Sequence, residues 1–251
     1  MPPAPPFDST GPAAAPAIVL LHGSSETRLQ WQPQARALSD EFHVIAADLP
    51  AHGALAGTRF RMDDVVAWLS ALLNQQAGGR AIVAGISLGG YVTMEFALRH
   101  PEQVAGAVLL SCTAEPTGPG AALYLVATWF MSLAPMPVLK AVKRMFGHML
   151  YSQEFAQLLT SYYFRGGAQG VRAVLWQSFI KKIRKYPGPV LFINGRFDYG
   201  FRSSERRFLA AARQGRLEVV PRALHVCNLD DPARVTALIR DFAHSLAAAP
   251  R

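Results

Sequence analysis

The sequence predicts an α/β fold: a mostly parallel sheet of about six strands with helices on both faces, and a helical segment inserted before the last two strands. Three observations predict it. Short apolar runs alternate with helical patterns of ten or more residues, and crossovers of that length join parallel strands. Gly23, Asp48, Ser87, Cys112, Asp198 and His225 all fall at or just past the carboxyl ends of those runs, where open parallel sheets place their sites. Charge is also uneven. From Thr117 to Gly188 nine basic residues face one acid, Glu154, so this segment carries the whole net charge of +8, and the remainder has sixteen charges of each sign. With 251 residues, 51% of them hydrophobic, the chain can bury one full core.

Each element has its own signal. Residues 1–16 are rich in Pro and Ala, with neither a basic start nor an unbroken apolar stretch; they read as a mobile arm and not as a secretory leader. Ala17 to Leu21 (AIVLL) has the continuous apolarity of a strand buried on both faces. A helical pattern from Trp31 to Asp40 leads to a second such run, Phe42 to Leu49, and the turn Pro50-Ala51-His52-Gly53 follows. Asp63 and Asp64 open a helix with Val65, Val66, Leu69, Leu72 and Leu73 on one side, which stops at Gly78-Gly79. Ala81 to Ala84 is the next strand, helix-forming sequence runs from Tyr91 to Pro101, and Gly106 to Cys112 is strand again. After the insert come a strand at Pro189 to Ile193, a helix from Ser203 to about Gln214, a strand at Leu217 to Val220 and a closing helix from Pro232 to about Ala248, with Asp230 and Asp231 placed to cap it. The boundaries are thus an arm over 1–16, a core of 17–115 and 189–251, and a helical cap over 116–188.

Between the third strand and its helix stands Gly85-Ile86-Ser87-Leu88-Gly89-Gly90. A serine raised on a tight strand-to-helix turn needs neighbours without bulk, and three glycines meet that need. This motif, together with LLHG at 20–23, DLPAHG at 48–53, NGRFD at 194–198 and ALH at 223–225, resembles the α/β-hydrolase superfamily over nearly the whole chain outside the insert. The resemblance implies that Ser87 is a nucleophile, His225 its base and Asp198 the acid of a triad, with an oxyanion hole made by the backbone N–H groups of Ser24 and Leu88. Two departures stand out. No antiparallel hairpin is apparent before Ala17, which implies a sheet shortened at that edge, and Pro-Ala-His-Gly replaces the more usual Gly before His-Gly.

The chemistry asks for these residue types in its own right. A serine hydroxyl is a poor nucleophile near neutral pH and needs a base that titrates close to it, which is histidine. A carboxylate then fixes the imidazole tautomer and stabilises its charged form. Asp198 also fits a helix N-cap, and Glu115 is the rival acid. The superfamily resemblance implies that His22, His52 and Asp48, also at strand ends, shape their own loops. Cys112 and Cys227 are too few for a disulfide framework and lack metal-ligand spacing; they read as small buried apolar residues in a reduced, cytoplasmic protein. No metal or cofactor is expected.

In the insert, residues 116–139 carry no charge, and the apolar part from Ala121 to Ala134 is 14 residues long between prolines, short of the roughly 20 that span a bilayer. It reads as a cap helix whose Leu123, Val126, Trp129 and Phe130, with Met149 from a second apolar cluster, line an apolar pocket. Such a pocket suits a small hydrophobic ester, so the expected activity is that of a serine esterase. Thioesterase, carrier-protein ester hydrolase or carbon–carbon bond hydrolase activity, and a hydrolase-like ligand-binding protein with negligible turnover, are the alternatives. The basic residues of the cap form either a solvated face or a surface for an acidic partner: an acyl carrier protein, a CoA thioester or an anionic membrane. Nucleic acid is not expected, because the aromatics of the insert follow helical core spacing.

Overall fold

The computed structural model describes residues 6–118, 120–122, 126, 134–135, 137–138, 141, 145 and 163–248. Its frame is a seven-stranded sheet in the order β1-β3-β2-β4-β5-β6-β7, made of β1 (Phe7–Thr10), β2 (Ala17–Leu21), β3 (His43–Ala47), β4 (Ala81–Ile86), β5 (Val104–Leu110), β6 (Pro189–Gly195) and β7 (Gln214–Val220). β2 to β7 are the six parallel strands expected from their apolar runs. Every residue of β2, β3 and β4 is buried, as continuous apolar strands covered on both faces should be.

The seventh strand corrects the reading of residues 1–16 as a mobile arm. β1 pairs antiparallel with β3, from Phe7 opposite Ala47 to Thr10 opposite Val44. The Asp48 N–H donates to the Pro6 carbonyl (2.8 Å), Arg28 pairs with Asp8 (2.9 Å), and Phe7 packs on the core. The outer edge of β3 would otherwise present unpaired backbone groups to water, so Phe7–Thr10 pair with it although FDST carries no apolar periodicity.

Helices α1 (Gln32–Leu38), α2 (Met62–Gln76), α3 (Leu88–Arg99), α4 (Phe164–Val174), α5 (Phe179–Ile183), α6 (Glu205–Ala211), α7 (Cys227–Asp230) and α8 (Pro232–Ala248) flank the sheet. Side chains alternate across each strand. Ile18, Leu20, Ile82 and Ala84 meet Leu38 of α1 and Val235, Leu238 and Phe242 of α8 on one face. Val19, Leu21 and Val83 meet Leu69 and Leu73 of α2, Val92 and Phe96 of α3 and Phe208 of α6 on the other. α8 starts at Pro232, and the Asp231 side chain accepts from the Arg234 N–H (3.0 Å), the cap expected from the Asp-Asp-Pro run.

Of the segment expected to form the cap, α4 and α5 are described. α5 does not sit apart from the core: Phe179, Ile183 and Tyr186 are buried in the same cluster as α3. The anchor is Glu95, buried in α3, whose carboxylate accepts from Arg99 Nε (2.6 Å) and from Lys182 of α5. Replacing Glu95 by Ala strands the half-buried Lys182 ammonium, at about 3 kcal/mol. Thermal unfolding of Glu95→Ala is expected to show a Tm lower by roughly 6–12 °C.

Candidate active site

Ser87 lies between β4 and α3 at φ 54° and ψ −116°, a conformation that L residues avoid. Close packing holds it there. A Cβ on Gly85 would overlap the Gly89 carbonyl, one on Gly89 would overlap the carbonyls of Leu21 and His22, and one on Gly90 would overlap Cys112 Sγ. The Ser87 N–H donates to the Leu110 carbonyl at the end of β5 (2.8 Å). The hydroxyl is thus presented above the strand ends at the start of α3.

The loops after β6 and β7 are joined through their backbones. Arg196 N–H donates to Val220 O (3.0 Å) and Phe197 N–H to Ala223 O (2.9 Å); Gly195 allows the approach, since a Cβ there would fall on the Leu224 carbonyl. Asp230 Oδ2 accepts from the Leu224 N–H (2.7 Å) and fixes the residue before His225. His225 Nδ1 lies 2.8 Å from Asp198 Oδ2, and Nε2 lies 3.1 Å from Ser87 Oγ. The Phe201 ring packs against the imidazole, centroids 4.1 Å apart. The three side chains named from the sequence therefore meet in one hydrogen-bonded chain. The rival Glu115 is engaged elsewhere, accepting the Ile180 N–H of α5 (3.1 Å). Asp48 accepts from the backbone of Arg28 and Ala54 (2.9 Å each) and from the Arg28 guanidinium, so it braces its own turn.

Ser24 sits in a loop held from both sides. Gly23 N–H donates to Gln30 Oε1 (2.8 Å), and Ser25 N–H donates to His52 Nε2 (3.3 Å). Leu88 is the first residue of α3, where a helical N–H has no acceptor within the helix. Both loop and helix start lie under α4. A Cβ on Gly167 would meet the hydroxyls of Ser24 and Ser25, one on Gly170 would meet Leu88, and one on Gly166 would meet the Ala51 carbonyl. Ala51 has φ 67°, the left-handed conformation for which the more usual Gly is suited. Asn228 joins the two sides of the site, donating to Gln30 O (2.9 Å) and receiving Gln34 Nε2 on its own carbonyl (2.8 Å).

Sequence reasoning missed Gln30, Asn228, Asp230 and the glycines of α4. Only the last left a legible signal, since positions 166, 167 and 170 share one helical face. Of the expected pocket residues, Val126 is helical and 49% exposed, while Leu123, Trp129, Phe130 and Met149 lie outside the described residues. Among the described residues no cluster of His, Cys, Asp or Glu is placed to hold a metal ion, and no helix is long and apolar enough to cross a membrane. Both cysteines are buried and free; burial pushes the Cys227 thiol up to about 12.

The model of the Alpha/beta hydrolase family matches residues 18–238. The chain belongs to this family. It is similar to Carboxylesterase YbfK of Bacillus subtilis, 32% identical over 106 residues that make up 41% of this chain and 36% of that protein. It is similar also to the pimeloyl-[acyl-carrier protein] methyl ester esterase of Nitrosomonas europaea, 35% identical over 98 residues, 39% of this chain and 38% of that one. The chain thus spans little more than a third of the length of these curated relatives. A thermophilic esterase from Thermogutta terrifontis superposes with a TM-score of 0.81 at 23% identity, over 96% of this chain and 93% of its own. At that identity the likeness shows the fold.

His52 supplies a pH test of the Ser24 loop. Its Nδ1 faces the Pro50 carbonyl (3.0 Å) and its Nε2 accepts from Ser25, which requires the neutral ring; burial holds its pKa below the ordinary 6.5. The unfolded chain then binds more protons as pH falls below about 6.5, so this contribution to stability is complete above that pH and is lost beneath it. Urea unfolding from pH 7.5 to 5.5 is expected to fall less steeply for His52→Gln than for the parent.

Proposed function

We propose that this chain is a serine hydrolase that cleaves carboxylic esters bearing an apolar acyl or alkyl group. The observation that carries the reading is the chain of contacts from Asp198 through His225 to Ser87, at 2.8 and 3.1 Å. With its Nδ1 proton on Asp198, His225 has a free lone pair at Nε2 to take the serine proton as Ser87 Oγ attacks the carbonyl carbon. The oxyanion that forms is stabilised by the N–H groups of Leu88 and Ser24, each such donor contributing roughly 3–4 kcal/mol. Collapse expels the alcohol, which leaves with the proton from Nε2, and the acyl group stays on Ser87. Water, deprotonated by the same nitrogen, then releases the acid.

A thioester or carrier-protein ester as substrate is the second reading. It is favoured by the exposed Arg165, Arg172, Lys181, Arg184 and Lys185 on and beside α4 and α5, and by the similarity to a carrier-protein methyl ester esterase. Turnover of nitrophenyl esters, acyl-CoA and acyl carrier protein esters, measured side by side, separates the two.

A fluorophosphonate probe followed by peptide mapping is expected to modify Ser87 in the folded protein and to leave Ser87→Ala unlabelled. An unmodified Ser87 would sink the mechanism. Asp198→Asn, which keeps the size of the side chain but not its charge, is expected to lower kcat about ten-thousandfold, as read by steady-state kinetics with an activated ester.

A further inference from the structure

The loops that carry Asp198 and His225 present apolar side chains outward. Phe197 and Tyr199, on either side of Asp198, are 43% and 73% exposed, and Leu224, just before His225, is 38% exposed. The Phe197 and Tyr199 rings meet edge to face at 6.4 Å, and the bond from Phe197 N–H to Ala223 O holds the two loops side by side. These three side chains therefore share one rim beside the triad.

Arginines flank them. Arg196 and Arg222 are exposed, and no ion pair involving either is found among the described residues. The carboxylates of the two loops are engaged: Asp198 with His225, Asp230 with the Leu224 N–H, and Glu205 with Arg202 and Asn194. Arg222 follows Pro221 in a turn and has φ 64°, a position that glycine or asparagine fills without strain.

We propose that this rim docks the protein on an anionic lipid surface, with Phe197, Tyr199 and Leu224 entering the interfacial layer and Arg196 and Arg222 contacting phosphate groups. Aromatic rings settle at the boundary between water and lipid, and guanidinium groups bind phosphate through paired hydrogen bonds. The net charge of +8 lies in residues 117–188 and favours approach to such a surface without selecting this rim, so the orientation rests on Arg196 and Arg222. The proposal rests on the hydrolase reading only in its purpose, which is to turn the mouth of the site toward the layer where apolar esters collect.

Co-sedimentation of Ser87→Ala protein, in which turnover cannot alter the lipid, provides the test. Vesicles of phosphatidylcholine with phosphatidylglycerol are expected to bind at least about tenfold more tightly than phosphatidylcholine alone, and added salt should reduce the difference. In that background, Arg196→Gln with Arg222→Gly should weaken binding roughly twenty-fivefold, about fivefold for each arginine. Arg222→Gly removes backbone strain and Tyr199→Ser alters an exposed ring, so neither threatens folding; Tyr199→Ser alone should still weaken binding. Absence of binding, equal affinity for both vesicles, or full binding by these variants overturns the proposal. So does capture of an acidic carrier protein through the same arginines by a chain that leaves vesicles alone. Vesicle binding by a chain whose Ser87 resists fluorophosphonate would instead remove the hydrolase reading and keep the docking surface.

Discussion

The backbone at Ser87 is the constraint on which the rest of the site depends. A residue held at φ 54° stays there only if its surroundings forbid relaxation, and here the surroundings are main chain. Gly89 lies against the carbonyls of Leu21 and His22, and Gly85 against that of Gly89. The start of α3 is thereby pressed onto the end of β2. This contact sets where the hydroxyl stands and also places it beside the Gly23-Ser24 loop. The position of the Ser87 hydroxyl and that of the candidate oxyanion donors are consequences of one packing arrangement.

The other half of the site is built in the same way. The Asp198 loop and the His225 loop are joined by amide-to-carbonyl bonds at Arg196 and Phe197, and Asp230 fixes Leu224 from below. Gln30 and Asn228 then tie the His225 side of the site to the Ser24 side through buried side-chain amides. Backbone bonds do not depend on the surface side chains, so such a scaffold holds Asp198 and His225 in place whatever the outer rim presents. The rim of Phe197, Tyr199 and Leu224 uses that freedom: its side chains face outward from loops whose inner sides are fully committed.

The cap shows where reading by composition stops short. The abundance of positive charge marked out an insert, yet charge does not say which residues lie on the core and which above it. Lys182 belongs to the basic run, but its ammonium is directed to the buried Glu95, and Phe179 and Tyr186 beside it are core residues. In α4, meanwhile, three residues that lie against the site have no side chain at all. Glycines at 166, 167 and 170 bring a helix backbone down onto Ala51, Ser24, Ser25 and Leu88.

Sequence alone determined the six parallel strands and the strand-to-helix elbow that carries Ser87, because continuous apolar runs and glycine spacing are local properties written in neighbouring residues. It could not disclose β1, whose order comes from the open edge of β3 rather than from Phe7 to Thr10, nor the roles of Gln30, Asn228 and Asp230, which are ordinary polar residues until the fold brings a bare backbone N–H or carbonyl within reach. By type and place at a strand end alone Glu115 and Asp48 compete with Asp198, which the superfamily resemblance favours. Only the tertiary structure shows which carboxylate meets the imidazole, Asp198 Oδ2 at 2.8 Å from His225 Nδ1, because that contact joins residues far apart in the chain.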